Sequence, residues 1–232
     1  VARKQAPLII GLGEGEFICA SDTPAIVNFT KIILPLEDEE IALLTPLGIE
    51  IYDSNNERQY RNPISLQIAE QVSDKKNFKH YMLKEIYDQP DIAKYWLEKY
   101  LIKDLNTDQF QINYSFETEF FNSIERIEIV ACGTSKHAAM VGKFLLEQFS
   151  GIPTNVFYAS EFRYSPPPLL PNTLTIGVTQ SGETADTIAA INMEIKRRSS
   201  IEDINFKPNL IAITNRIESS IGRLIPNVIN IS

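Results

Sequence analysis

The chain has 232 residues, of which 44% carry hydrophobic side chains, so it is long enough to bury one large core or two smaller ones. Its 22 basic and 30 acidic residues give a net charge of −8, and no block of lysine and arginine could follow a phosphate backbone or an anionic membrane surface. The composition therefore argues against disorder and against nucleic-acid or membrane partners.

The residues that most often bind metals or form disulfides are few and show no metal-ligand spacing: Cys19, Cys132, His80 and His137. We therefore expect no metal, no other cofactor and a reducing compartment, either the cytoplasm or a plastid stroma. No apolar run reaches the roughly 18 residues needed to span a bilayer, and the N-terminus lacks the order of a signal peptide. Because the chain starts without methionine and stops just after an apolar run, we expect both ends to lie inside a longer protein.

The first quarter of the chain is predicted to be rich in β-strands. Five short runs have strand character: "PLIIGLG", "EFICAS", "KIILPL", "EEIALLT" and "GIEIYD". Their brief connections favour antiparallel pairing over crossover helices. Polar sequence with few apolar residues in register follows, which indicates a linker. We therefore divide the chain into a β-rich segment, a linker and a second domain, at residues 1–60, 61–79 and 80–232.

A helix is predicted between His80 and Leu105, with Pro90 placed where a helix can begin. Apolar residues recur on one face of this helix at four-residue spacing: Ile92, Trp96 and Tyr100. This spacing is typical of residues that pack against a neighbouring element.

After Ser123 strand-like and helical stretches alternate. The strand-like runs are "RIEIVACG", "TNVFYAS", "TLTIGVT", "NLIAITN" and "NVINIS". Between them lie an apolar-faced helical stretch that ends at "SGIP", a helix from Ala185 to Arg198 and a short helix at "SSIGRLI". This alternation predicts an α/β fold, with a parallel sheet covered by helices on both faces.

Two loops combine several polar side chains with a predicted helix start: "CGTS" at Cys132–Ser135 and "TQSGET" at Thr179–Thr184. In an open α/β sheet, ligands bind beyond the carboxyl ends of the strands, where free N–H groups and the helix dipole favour an anion. The hydroxyls could instead serve only as helix caps. Because two such loops follow strands that could be neighbours, we favour a shared phosphate site.

Neither loop contains the lysine of a P-loop, which disfavours a nucleoside triphosphate held with Mg²⁺ and leaves a sugar phosphate as the better fit. No histidine is placed to activate Cys132, so we expect its side chain to line the site. Glu183 and Asp186 flank the second loop and are interpreted as partners of the helix dipole that also bond the loop. The glycines from Gly11 lack the third glycine of a dinucleotide fingerprint and are interpreted as turn formers.

Three motifs, "ACGTS", "ASEFRY" and "TQSGETADT", occur in an order that resembles the first sugar isomerase (SIS) subdomain of the glutamine:fructose-6-phosphate aminotransferase family. Upstream, "HYMLKEIYDQP" resembles the entry to the isomerase domain of that family. The strands up to "GIEIYD" resemble the end of its type-2 glutamine amidotransferase domain, which has an N-terminal-nucleophile fold. The resemblance covers essentially the whole chain and implies a flavodoxin-like SIS sheet, incomplete at its C-terminal end.

The family transfers ammonia from glutamine to fructose 6-phosphate and isomerises the product to glucosamine 6-phosphate. The resemblance implies that one set of residues holds the sugar phosphate: Ser135, Thr179, Gln180, Ser181 and Thr184. It implies that a second set lines the sugar: Cys132, Gly133 and Thr134. It places no catalytic residue in this segment, which by itself should be inactive, and it implies a homodimer or higher homo-oligomer. Thr179 stands where the family commonly has serine, which keeps the hydroxyl.

Two alternatives remain open. The chain could belong to a SIS-fold sugar-phosphate isomerase or deglycase that does not use glutamine, although the β-rich first quarter disfavours this. It could also be a non-catalytic module that senses a sugar phosphate. Regulators of that kind usually carry a DNA-binding helical domain, whereas the upstream sequence here is β-rich and the net charge is acidic.

Overall fold

A computed structural model describes residues 1–4, 6–66, 75–103, 110–113, 116 and 119–231. The chain divides into two compact units, one made of residues 1–66 and 119–232 and the other of residues 67–118. Within the described ranges, no helix has both the length and the apolarity needed to cross a bilayer.

The N-terminal part of the first unit forms antiparallel sheets, as its short connections predicted. Its strands are β1 (Ile9–Leu12), β2 (Phe17–Ala20), β3 (Ile32–Pro35), β4 (Ile41–Thr45), β5 (Gly48–Tyr52), β6 (Arg58–Gln59) and β7 (Ile64–Ser65). One sheet has the order β2-β1-β3-β7 and the other the order β4-β5-β6. A shared core joins both sheets: Ile10, Leu34, Leu36, Ala42 and Ile51. Because β7 pairs with β3, strand pairing continues to Ser65, into the stretch that we assigned to a linker.

The second unit contains the predicted helix, α1 (Tyr81–Tyr100), and a hairpin of β8 (Leu101–Lys103) and β9 (Phe110–Ile112). The helix lies within the predicted range, His80 to Leu105, but Pro90 does not mark its start. His80 has extended backbone angles and precedes the first turn, whereas Pro90 lies inside the helix. An interior proline removes one backbone hydrogen bond and crowds the carbonyl four residues earlier, so the rest of the helix has to offset this cost.

The remaining elements of the first unit alternate between helix and strand. They are α2 (Glu119–Asn122), β10 (Arg126–Ala131), α3 (Gly133–Ser150), β11 (Thr154–Tyr158), α4 (Ala159–Phe162), β12 (Thr173–Val178), α5 (Ala185–Ser199), β13 (Asn209–Thr214), α6 (Ser220–Leu224) and β14 (Val228–Asn230). The five strands are all parallel, in the order β11-β10-β12-β13-β14. Helices flank this sheet, so the predicted α/β fold is confirmed. The first strand lies between the second and third, which is the flavodoxin-like order.

The inner strand β10 shows why this sheet forms. Four of its six residues are β-branched or small and apolar, and all positions after Arg126 are buried, which is typical of a strand covered on both faces. Val130 is fully buried and packs with Phe162 of α4 and Ala190 of α5. Helix α3 ends at Gly151, whose φ of 70° lies in the left-handed region that glycine adopts at low cost, as "SGIP" predicted. The predicted apolar face of α3 is largely exposed, with Phe149 81% accessible.

A cluster of charged side chains lies in the core between β10 and α5. Glu194 and Arg198 are 0% and 1% exposed, and the Arg198 Nε donates to Glu194 Oε1 over 2.7 Å. Glu128 of β10 is 5% exposed. Burial raises the pKa of the Glu128 carboxyl, and the nearby Glu194 carboxylate raises it further, while Arg198, Arg197 and Arg126 oppose this shift.

Replacing Glu128 with glutamine should stabilise the protein at neutral pH. Because the folded-state pKa is raised, the protonated acid is favoured in the folded protein. The protonated Glu128 carboxyl contributes fully to stability at pH values below its pKa in the unfolded chain. This contribution is lost as the pH rises through its pKa in the folded protein. The glutamine variant should therefore match the wild type near pH 4 and exceed it by about 1 kcal/mol at pH 7. Urea unfolding at a series of pH values measures this difference. A difference between the Glu128→Gln variant and the wild type that stays the same from pH 4 to pH 7 would contradict this assignment.

Candidate functional site

The two loops singled out in the sequence lie side by side. β10 and β12 are neighbouring parallel strands, and their last residues, Ala131 and Val178, are register partners. The loop after β10 and the loop after β12 therefore leave the same edge of the sheet. This edge is also the place where the strand order reverses, because β11 lies on one side of β10 and β12 on the other. In open α/β sheets this reversal creates the crevice in which ligands bind.

The first loop, Cys132–Ser135, passes directly from β10 into α3. Cys132 is extended, with φ −119° and ψ 157°, and its side chain makes no capping hydrogen bond. Gly133 has a φ of 52°, so the chain turns sharply at the helix start. Thr134 is exposed and Ser135 half-buried, and within the described part of the chain neither hydroxyl has a hydrogen-bond partner. Both hydroxyls and the free backbone N–H groups of the first turn are thus available to a ligand.

The second loop, Thr179–Thr184, is ordered by its own hydroxyls. Thr179 is 2% exposed, and its Oγ1 lies 2.7 Å from the Oγ1 of Thr184. The Ser181 Oγ accepts a hydrogen bond from the backbone N–H of Glu183 over 3.1 Å. Thr184 precedes α5 but makes no side-chain cap. Thr184 therefore does not act as an ordinary helix cap through its side chain.

A third segment, from Thr214 to Ile221, holds the second loop from the side. The Gln180 carbonyl accepts from the Asn215 N–H over 3.0 Å and from the Thr214 Oγ1 over 3.3 Å, while the Gln180 side chain stays exposed. The Gly182 carbonyl accepts from the Ile221 N–H over 3.1 Å. We call residues 214–221 the bracing segment. We did not predict its role, although its sequence "TNRIESSI" is also a polar loop at the carboxyl end of a strand and carried the same signal.

The two acidic residues that flank the second loop are engaged by protein groups. Glu183 accepts from the Ser220 N–H over 2.9 Å and from the Ser220 Oγ over 2.6 Å. Asp186 pairs with the Arg163 guanidinium over 2.8 Å. Both carboxylates thus bond the loop and its surroundings, as we interpreted them. Their engagement limits the repulsion that they would exert on a bound anion.

A basic side chain lies next to the first loop. Lys136 follows Ser135, and its Nζ lies 3.6 Å from the ring centroid of Tyr158, at the end of β11. This cation–π contact holds a positive charge near the edge of the sheet where both loops emerge. In the described part of the chain, no group of three or more histidine, cysteine, aspartate or glutamate side chains could hold a metal ion. Taken together, the hydroxyls, the helix starts and the lysine suit an anionic ligand that carries hydroxyl groups.

Comparisons with known proteins identify the family. The family profile described as "SIS domain" matches residues 120–232. Glutamine–fructose-6-phosphate aminotransferase (isomerizing) of Thermosynechococcus vestitus is 54% identical over 232 residues, and that of Synechocystis sp. is 50% identical over 234 residues. Each alignment covers 99% of this chain, which spans 37% of the length of these curated relatives.

A solved structure agrees with this identification. The C-terminal domain of glucosamine-fructose-6-phosphate aminotransferase from Francisella tularensis superimposes with a TM-score of 0.54 and 30% sequence identity, covering 68% of this chain and 41% of that one. The chain belongs to the glutamine–fructose-6-phosphate aminotransferase family and carries a SIS domain over residues 120–232.

Proposed function

We propose that this chain binds the phosphate of fructose 6-phosphate for an enzyme that transfers the glutamine amide nitrogen to this sugar and isomerises the product to glucosamine 6-phosphate. The observation that carries the proposal is the meeting of two hydroxyl-rich loops at the point where the strand order reverses. The phosphate ligands are Ser135, Thr179, Gln180, Ser181 and Thr184. The sugar is lined by Cys132, Gly133 and Thr134. Membership of the aminotransferase family supports the choice of sugar and of glutamine as the second substrate.

In this proposal the chain anchors the sugar and does not itself break bonds. Phosphate bound by hydroxyls and helix N-termini fixes one end of the sugar, so that its carbonyl group is presented to catalytic groups in a defined orientation. We assign no catalytic residue within the chain. Binding energy from the phosphate, which does not react, is in this way used to position the reacting carbonyl.

We also propose the organisation and setting of the protein. Residues 1–60 form the end of a glutamine amidotransferase domain, residues 61–79 link the domains, and residues 80–232 form the first SIS subdomain. The protein acts as a homodimer or higher homo-oligomer, without nucleic acid or membrane partners. Both cysteines are free thiols, which supports a reducing compartment, the cytoplasm or a plastid stroma.

Calorimetric titration with fructose 6-phosphate tests the proposed ligands. Ser181→Ala and Ser135→Ala should each weaken binding by about tenfold, because each removes a hydrogen bond to a charged phosphate. Fructose without the phosphate should bind far more weakly than fructose 6-phosphate. Ser199→Ala, at the exposed opposite end of α5, should leave the affinity unchanged. Equal affinity of all three variants for fructose 6-phosphate would refute the assigned site.

A further inference from the structure

An ion pair joins the N-terminal strands to the bracing segment. Arg216 follows β13, and its Nη1 donates to Asp22 Oδ1 over 3.0 Å and to Thr23 Oγ1 over 2.7 Å. These partners lie 194 and 193 positions away in the sequence. One guanidinium therefore connects the β-rich segment to the residues that hold the second loop.

The N-terminal end of this connection is firmly held. Asp22 caps the short 3-10 turn Thr23–Ala25 by accepting from the Thr23 N–H over 2.8 Å. The next residue, Ile26, is 0% exposed and packs so closely over Gly11 that a Cβ at Gly11 would lie 2.5 Å from the Ile26 Cγ2. Asp22 cannot shift far without disturbing this packing, because it is only four residues from a buried side chain.

The other end of the connection reaches the second loop through few bonds. The Arg216 N–H donates to Thr214 Oγ1 over 3.3 Å, and the same Thr214 hydroxyl donates to the Gln180 carbonyl. The Arg216 carbonyl accepts from Ser219 Oγ over 2.6 Å. A shift of the Arg216 backbone would therefore move the Thr214 hydroxyl that donates to the Gln180 carbonyl.

The pair is half-exposed, with side-chain accessibilities of 38% for Arg216 and 40% for Asp22. An ion pair of this exposure adds little to global stability. Its two acceptors nevertheless fix the direction of the guanidinium and so restrict the turn that carries it. We propose that Arg216 is a positioning residue, which keeps the second loop in its binding geometry by tying the bracing segment to the N-terminal strands.

This inference rests on the proposed function, in which the second loop binds fructose 6-phosphate. The test is a double-mutant cycle on the full chain, with fructose 6-phosphate titrated calorimetrically into wild type, Arg216→Gln, Asp22→Asn and the double variant. Each single change should weaken binding about three- to fivefold. The double variant should bind fructose 6-phosphate with about the affinity of the single variant that binds less tightly. Asparagine at position 22 can still cap the turn, so the cycle isolates the charge pair.

A matched control and a conservative variant separate positioning from general destabilisation. Arg58 pairs with Glu50 over 3.2 Å at similar exposure, and in the described part of the chain it makes no ion pair with the bracing segment, so Arg58→Gln should leave the affinity unchanged. Arg216→Lys should recover part of the lost affinity, and thermal unfolding should be similar in all variants.

Three results would overturn the inference: unchanged affinity in Arg216→Gln, strictly additive losses in the cycle, or an equal loss in Arg58→Gln. If the wild type fails to bind fructose 6-phosphate, the proposed function falls, and the role of Arg216 falls with it. The titration of the wild type alone reveals that outcome. A wild type that binds, together with variants that bind equally well, would instead refute only the role of Arg216.

Discussion

Replacing Gly182 with alanine should destabilise the protein by about 3 kcal/mol and abolish measurable binding of fructose 6-phosphate. Gly182 has a φ of 71°, in the left-handed region where a side chain costs roughly 1–2 kcal/mol. A Cβ at this position would also overlap the Ser219 side chain and lie 3.0 Å from Thr214 Oγ1, which adds roughly 1–3 kcal/mol. Both neighbours belong to the bracing segment, so the overlap would push it away from the loop. Urea unfolding and calorimetric titration measure the two effects.

Two other glycines serve as controls for this substitution. Gly142 lies inside α3 with open space around it, so Gly142→Ala should gain up to about 1 kcal/mol through helix propensity. Gly133 has a φ of 52° and open space, so Gly133→Ala should show the backbone strain without the overlap, a loss of about 1 kcal/mol. The free energy of unfolding should therefore be highest in Gly142→Ala, lower in Gly133→Ala and lowest in Gly182→Ala. A Gly182→Ala protein as stable as Gly142→Ala would contradict the described contact with Ser219.

The parallel sheet could be predicted from sequence because its signals are local. Each buried strand is a short apolar run, each following helix has its own periodicity, and Gly151 marks a helix end. The same local signals placed both hydroxyl-rich loops at helix starts. That the loops would lie together followed only from assuming that β10 and β12 are neighbours, which the strand register then showed. Their role in binding phosphate remains a prediction.

Features that depend on distant contacts were not predictable in this way. The support of Gln180 by Thr214 and Asn215 requires β13 to lie beside β12, which no spacing in the sequence specifies. A turn is specified by a few neighbouring residues, whereas the support of Gln180 depends on hydrogen bonds between segments at the ends of different strands of the sheet.

The buried charges in the core are the clearest case of a feature hidden from sequence. Glu194 and Arg198 are four residues apart on α5, a spacing that usually indicates an exposed ion pair on a helix surface. Here the side chains point into the core, where Arg198 Nη1 also donates to the Leu170 carbonyl over 3.1 Å. Periodicity placed α5 but could not show that its buried face includes a charged pair.

Replacing Arg198 with methionine should destabilise the protein by about 3–5 kcal/mol, because among the described residues the buried Glu194 carboxylate then keeps only Arg197 as a basic partner. The cost comes from the buried carboxylate, which loses one of its two basic partners, more than from the lost packing of the arginine side chain. Changing both partners, in Glu194→Met with Arg198→Met, should therefore recover most of the lost stability. Urea unfolding of the wild type, the single variant and the double variant measures the difference.

The comparison of the single and double variants distinguishes this explanation from a simple loss of packing. If the Arg198 side chain acted mainly by filling space, the double variant would be at least as unstable as Arg198→Met. The Lys143–Glu147 pair of α3 has the same four-residue spacing but side-chain accessibilities of 33% and 37%. Lys143→Met should cost no more than about 0.5 kcal/mol, because water solvates the remaining Glu147 carboxylate. A loss in Lys143→Met as large as that in Arg198→Met would show that burial does not set the cost.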